Sequence, residues 1–299
     1  MHRNLRGSRA YKYLIAALLV TLLLYYGYSE LTRTRGAQKV SFVPAQRNCD
    51  TSGPLRYCVY TGGAGVNGDL VYHLHGRNLD EQVWNDDTYF TAMLQAHWQS
   101  TGALPPAVVT VSYGPAWLLT PKGAQPASGL LDDFLARLPK IEEKVGRPRR
   151  RILLGESMGG LNVLIAGLSA PFQFARVAAL CPGVYQDSPF ESIGAIKASL
   201  ERTGASPKIA LGIWMMAKRY VGSEEEWRRI SPLRLIEKAR PAFPALYLSC
   251  GLYDPYGNYE GTEQLARAAA ERGVNTTWHP LYGGHCAVDI PSLADFLSR

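Results

Sequence analysis

Cysteine is sparse in this chain, five in 299 residues, and no two of them form a C-x-x-C pair or a His/Cys group with zinc spacing. A structural zinc module is excluded, and so is a small fold stapled by many disulfides. Apolar runs of membrane length are nearly absent too. Mean hydropathy is −0.11 and one stretch, Tyr13–Tyr28, stands out, which excludes a polytopic membrane protein. Internal repeats and low-complexity segments are missing, so solenoid, collagen and disordered classes fall away. What remains is 46% hydrophobic and 19% charged, enough to bury a core of ordinary size in one large or two small domains.

An acidic balance is also lacking, since the formal net charge is +7. Basicity of that size raises a nucleic-acid or membrane-surface partner. Its distribution decides between them. Seven basic side chains (Arg3, Arg6, Arg9, Lys12, Arg33, Arg35, Lys39) and one acid, Glu30, lie in residues 1–40, which leaves 25 basic and 24 acidic side chains beyond them. The body is close to neutral, and no nucleic-acid partner is expected.

Within that basic leader, Tyr13–Tyr28 carries no charge and follows four basic residues. At about 1.5 Å per residue it falls slightly short of a ~30 Å hydrocarbon core, although flanking tyrosines and a snorkelling Lys12 suit an interface. Two readings stay open: an uncleaved membrane anchor and a cleaved signal peptide. Gly27-Tyr28-Ser29 offers small residues for cleavage, but neither an A-x-A site nor a lipobox cysteine occurs. Both readings put the body outside the cytoplasmic membrane, periplasmic or extracellular, anchored or secreted. Residues 1–40 are thus expected to be a cytoplasmic tail, membrane segment and linker, and 41–299 one catalytic domain.

Cys49 and Cys58 bracket a Ser-Gly-Pro turn and form a disulfide if the compartment is oxidising. Cys181, Cys250 and Cys286 fall in apolar segments or beside motifs and read as buried thiols.

In the body, short apolar runs alternate with amphipathic stretches. Strands are expected at 70–75, 107–112, 151–155, 177–181, 245–250 and 278–281, unbroken enough to be covered on both faces. Helices are expected at 86–99, 130–145 (with Pro139 a candidate kink) and 262–271. This is an α/β pattern: a mostly parallel sheet with helices on both faces. Residues 182–244 interrupt the rhythm with helical segments and no strand, and read as an insertion, either a cap or helices packed on the body. Arg147-Pro-Arg-Arg-Arg151 reads as a solvated turn rather than an anion site.

The chemistry is written in Gly155-Glu-Ser157-Met-Gly159-Gly160, a G-x-S-x-G sequence directly after one apolar strand and directly before a helix-compatible run. Such an elbow lifts the Ser157 hydroxyl clear of the sheet and aims the Met158 amide and the helix N-terminus at the same space. A serine hydroxyl needs an oriented base. Of His2, His73, His75, His97, His279 and His285, only the last two follow the serine, and His285 sits in a glycine loop whereas His279 lies inside a strand-like run. Asp254, on a glycine turn after the fifth strand, is the expected acid, with Asp187 the alternative; Glu260 and Glu263 open a helix. A second oxyanion donor is expected in the loop after the first strand, Arg77 first and then Gly76. His73 and His75 share a strand face by alternation, but they lack the neighbouring Asp-His of a metal hydrolase, and no metal is expected.

These residues resemble the α/β-hydrolase superfamily, and within it the esterase group that includes esterase D and feruloyl-esterase-like proteins. The matching features are His75-Gly76, the Gly155–Gly160 elbow, the Gly251–Asp254 turn and the Gly283–His285 loop. The resemblance implies an α/β-hydrolase fold, a Ser157–His285–Asp254 triad, an acyl-enzyme intermediate and no cofactor. The basic leader and the helical insertion depart from it. Trp117, Trp214 and Tyr220 are candidate substrate contacts, suited to a small-molecule or glycan-linked ester. Acyl transfer or peptide hydrolysis on the same triad is an alternative, as is a binding module without turnover.

Overall fold

The computed structural model describes residues 5–32, 39–62 and 66–298. The chain divides into two compact units, on either side of Lys39 and Val40.

Among the described residues of the first unit, Leu5–Thr32 form one helix, α1. Its apolar side chains from Tyr11 to Tyr26 are exposed, and Thr21 Oγ1 donates back to Ala17 O at 2.9 Å. Among the described residues no helix is long and apolar enough to cross a membrane, so the span expected at Tyr13–Tyr28 is not supported. The charge-free run is shorter than the hydrocarbon core, and Lys12 and Glu30 bound it.

The second unit is an eight-stranded sheet with helices on both faces. In chain order it comprises β1 (Gln46–Ser52), β2 (Leu55–Thr61), β3 (Leu70–Leu74), α2 (Phe90–Thr101), β4 (Ala107–Ser112), α3 (Leu130–Val145), β5 (Arg151–Glu156), α4 (Met158–Ser169) and β6 (Arg176–Leu180). Four helices follow, α5 (Ile193–Thr203), α6 (Pro207–Tyr220), α7 (Glu224–Ile230) and α8 (Pro232–Leu235), then β7 (Ala245–Gly251), α9 (Asn258–Glu271), β8 (Thr276–Leu281) and α10 (Ile290–Ser298). The strand order is β1-β2-β4-β3-β5-β6-β7-β8, antiparallel as far as β4 and parallel from there on.

The parallel strands from β3 to β7 are largely apolar because each buries both faces, whereas β8, at the edge of the sheet, is only partly buried. Leu70, Tyr72 and Leu74 of β3, Leu153 of β5 and Leu246 and Leu248 of β7 point into a core shared with α3, α4 and α9. Their neighbours Val71, Ile152, Leu154 and Tyr247 point into a second core under α2 and α10. Pro139 sits within α3 without ending it.

The β1–β2 hairpin was not legible in the apolar pattern. Its first strand is polar and almost wholly exposed, held by pairing with β2 rather than by a buried apolar face. Gly53, at φ +59°, makes the turn, and Cys49 faces Cys58 across the ladder in a disulfide. The basic run before β5 is internally paired. Arg149 and Arg150 both reach the buried Asp69 carboxylate, and Arg151 pairs with Glu142. Burial opposes ionisation of Asp69, but the two guanidiniums outweigh it and hold the carboxyl below its usual range.

Candidate active site

The loops after β3, β5, β7 and β8 converge at the C-terminal edge of the sheet, where ligands bind in open α/β folds. Between β5 and α4, Ser157 adopts φ 56° and ψ −115°, an uncommon conformation for a residue with a side chain. The elbow is as tight as its glycines allow. A Cβ on Gly159 would overlap the Leu74 carbonyl at the end of β3. Ser157 N donates to Leu180 O at 2.9 Å, which ties the turn to the neighbouring strand.

His285 comes from the glycine loop after β8. Gly251 permits that approach, because a Cβ there would collide with the carbonyls of Gly283 and Gly284. The imidazole bridges the other two groups, with Nε2 2.9 Å from Ser157 Oγ and Nδ1 2.8 Å from Asp254 Oδ2. The Asp254 carboxylate is buried, and its second oxygen accepts from Tyr256 N at 2.7 Å. The Tyr256 ring stacks on His285 at 4.0 Å between centroids. Asp187, the alternative acid, is instead bound to Arg202, which also holds Glu260. Among the described residues, then, one serine, one histidine and one carboxylate are hydrogen-bonded in line. That geometry can deprotonate the serine and hold the resulting imidazolium.

The Met158 and Arg77 amides have no protein acceptor among the described residues. The Gly76 amide, the second expected donor, donates instead to Glu156 Oε1 at 2.5 Å, so it is not free for an oxyanion. Glu156 was not singled out from the sequence. It is buried beside Ser157, and its other oxygen lies 2.8 Å from His73 Nε2. The carboxylate thereby links the elbow to the β3 loop. Burial, and then the adjacent Glu156, push the Tyr89 hydroxyl well above its usual range.

His73 and His75 do not share a face. His73 packs on Trp84 (5.3 Å) in the core under α2, whereas His75, one residue past β3, packs on Trp117 (5.7 Å) on the other side. Strand alternation stops where β3 stops. His75 Nδ1 lies 2.7 Å from Gly76 O and Nε2 2.8 Å from Ser112 Oγ. Burial lowers its pKa, so the neutral ring donates through Nδ1 and accepts the Ser112 hydroxyl.

A cavity of about 530 Å³ opens over Ser157 and His285. The helical insertion supplies an apolar wall to it: Ile209, Ile213, Met216 and Ala217 of α6, and Trp227 of α7. The three aromatic contacts expected from sequence sit elsewhere. Trp117 is fully buried in the core, and its loop is pinned by Asn162, which accepts from Leu119 N; Leu118 is the residue of that loop that lines the cavity. Tyr220 is buried and donates to Ala116 O at 3.0 Å. Trp214 lines a second, smaller cavity of about 90 Å³ behind Tyr185, Ile213, Trp227 and Tyr256, which border both. A helix presents one side to each space, and the register of α6 assigns Ile213 rather than Trp214 to the one over Ser157 and His285.

Two cysteines expected to be free thiols are paired. Cys286, directly after His285, is bonded to Cys181 at the end of β6. Sequence could not reveal this partner, since 105 residues separate the two. Cys250 is a free, buried thiol beside Asp254, and burial raises its pKa.

Residues 57–285 match the family model described as "Putative esterase". No curated protein matches the chain in sequence. Among solved structures, a ferulic acid esterase is 17% identical with a TM-score of 0.59, over 86% of this chain and 98% of that one. An arylesterase is 19% identical, covering 89% of each chain, with a TM-score of 0.59. A brefeldin A esterase, a bacterial homologue of human hormone-sensitive lipase, is 17% identical over 95% of this chain and 85% of that one, with a TM-score of 0.62. The structural likenesses bear on fold, and the sheet and helices match an α/β-hydrolase. By the family match, the chain belongs to this esterase family and is a carboxylic-ester hydrolase acting on a small-molecule ester.

Proposed function

We propose that this member of the esterase family hydrolyses carboxylic esters through an acyl-enzyme, with Ser157 as nucleophile, His285 as base and Asp254 as its orienting acid. The observation that carries the reading is the continuous Ser157–His285–Asp254 hydrogen-bond line in a cavity. Ser157 Oγ attacks the ester carbonyl as His285 Nε2 takes its proton. Asp254 keeps the proton on Nδ1 and stabilises the imidazolium. The carbonyl oxygen, now negative, is met by the Met158 amide at the N-terminus of α4 and the Arg77 amide in the loop after β3. His285 then returns its proton to the leaving alcohol. Water repeats the sequence on the acyl-enzyme and frees the acid.

The apolar wall from α6 and α7 supports an apolar acyl group in the cavity, including an aromatic one. Ser157→Ala should abolish hydrolysis of p-nitrophenyl acetate while circular dichroism stays unchanged. Retained turnover in that variant would overturn the assignment.

The leader is an export segment in this reading, retained as an anchor or cleaved as a signal. Its polarised charge, its exposed apolar residues and two disulfides, which persist in oxidising compartments, support this. Alkaline phosphatase fused after Lys39 should be active in cells; an inactive, cytoplasmic fusion rejects export.

A further inference from the structure

The bond between Cys181 and Cys286 is the feature that ester hydrolysis does not use. It touches the catalytic loop at its most sensitive point. Cys286 is the residue after His285 and lines the same cavity, and Cys181 Sγ lies 3.9 Å from His285 Nε2. The two sulfurs and an imidazole nitrogen all lie within 4.8 Å of one another. Both cysteines have positive φ, +40° at Cys181 and +55° at Cys286, uncommon outside glycine. The Cys181 backbone is held on both sides: its N donates to Ser249 O, and its O accepts from Asn258 Nδ2. Opening the disulfide would let the two sulfurs move apart by side-chain rotation, to the separation that two thiolates on one metal take, while the Cys181 backbone stays in place.

We propose that this disulfide guards a latent soft-metal site, and that on reduction Cys181, Cys286 and His285 Nε2 bind a zinc-class cation that silences hydrolysis. The inference rests on His285 being the base. Reduction by a dithiol transfers two electrons and two protons, breaking the S–S bond and giving two thiols and an oxidised cyclic disulfide. Each thiol then loses its proton to water on binding the metal, and neutral His285 offers the Nε2 lone pair that now accepts from Ser157. Two thiolates and one imidazole are a zinc-like donor set, and the fourth position opens to the cavity. Asp254 on Nδ1 is the carboxylate that commonly orients a metal-bound histidine. The contacts that prepare His285 as a base also prepare it as a ligand. The disulfide excludes the metal, because bonded sulfurs have no thiolate charge to offer.

The test uses the full chain, oxidised or reduced with a phosphine under anaerobic conditions. Cobalt(II) added to the reduced protein should give a thiolate-to-metal charge-transfer band and the strong visible bands of tetrahedral cobalt. Oxidised protein should give neither. Cys181→Ser or Cys286→Ser should remove the bands from reduced protein, and Ser157→Ala should keep them. One equivalent of zinc should lower p-nitrophenyl acetate hydrolysis at least tenfold in reduced protein only, with recovery on adding a chelator. Absence of cobalt bands from reduced wild-type protein overturns the proposal, as does equal zinc inhibition of oxidised protein or of Cys181→Ser. Because Ser157→Ala reports binding without turnover, failure of the esterase reading is distinguishable from failure of the metal site.

Discussion

Tyr256 holds His285 from two directions: its ring lies 4.0 Å from the imidazole at an interplanar angle of 30°, and its amide binds the free oxygen of Asp254. In the proposed mechanism the residue positions the base without touching the reacting atoms. Tyr256→Ala removes the ring and leaves the amide. A stacked pair contributes about 1 kcal/mol, so kcat should fall roughly five- to tenfold with KM little changed. Tyr256→Phe should retain most of kcat. Equal losses in the two variants would indicate a role for the hydroxyl instead.

The elbow predicts an asymmetry between glycines. Gly159→Ala drives a methyl into the Leu74 carbonyl and should destabilise by about 3 kcal/mol or more. Gly194, within α5, meets nothing closer than Ser192 Oγ at 3.9 Å, so Gly194→Ala should be neutral or stabilise by up to about 1 kcal/mol. Denaturant midpoints of the two variants against wild type check both signs.

Ile213 stands between the catalytic cavity and the smaller cavity behind it. Ile213→Ala should join them and let longer acyl chains enter. Each additional buried methylene is worth about 0.8 kcal/mol, or roughly fourfold in kcat/KM. The ratio of p-nitrophenyl octanoate to acetate hydrolysis should rise, and an unchanged ratio would assign the acyl group elsewhere.

Stability should depend on pH through His75. Burial lowers its pKa below the ordinary 6.5, so the unfolded chain takes up the proton first as pH falls. Stability from this group is full above about 6.5 and declines below it, by up to ~1.4 kcal/mol per pH unit, until the folded pKa is reached. Urea unfolding between pH 7 and 5 measures the slope. His75→Asn keeps an amide donor for Gly76 O and cannot titrate, so its slope should be shallower.

Much of the site was legible because its chemistry demands rare local patterns. An elbow needs glycines around a serine between strand and helix, and the acid and base follow in a set chain order. Periodicity also located the six parallel-type strands, five of them apolar because both faces are covered and the sixth, β8, partly exposed at the edge. It missed β1, a polar strand held by hydrogen bonding and a disulfide, and β2, whose buried Leu55, Tyr57 and Tyr60 are interspersed with polar or partly exposed residues.

The sequence by itself determined the α/β class, the glycine turn that carries Ser157 between strand and helix, the placing of Asp254 and His285 in glycine-rich loops after it, and the concentration of positive charge in the leader. These depend on local conformation and spacing, which nearby residues set. Only the tertiary structure decided which aromatic residues reach the cavity, that Gly76 is occupied by Glu156, that His73 and His75 part company, and that Cys181 meets Cys286. Each depends on where separate loops end in space. A pairing across 105 residues is selected by packing, and no local pattern encodes it.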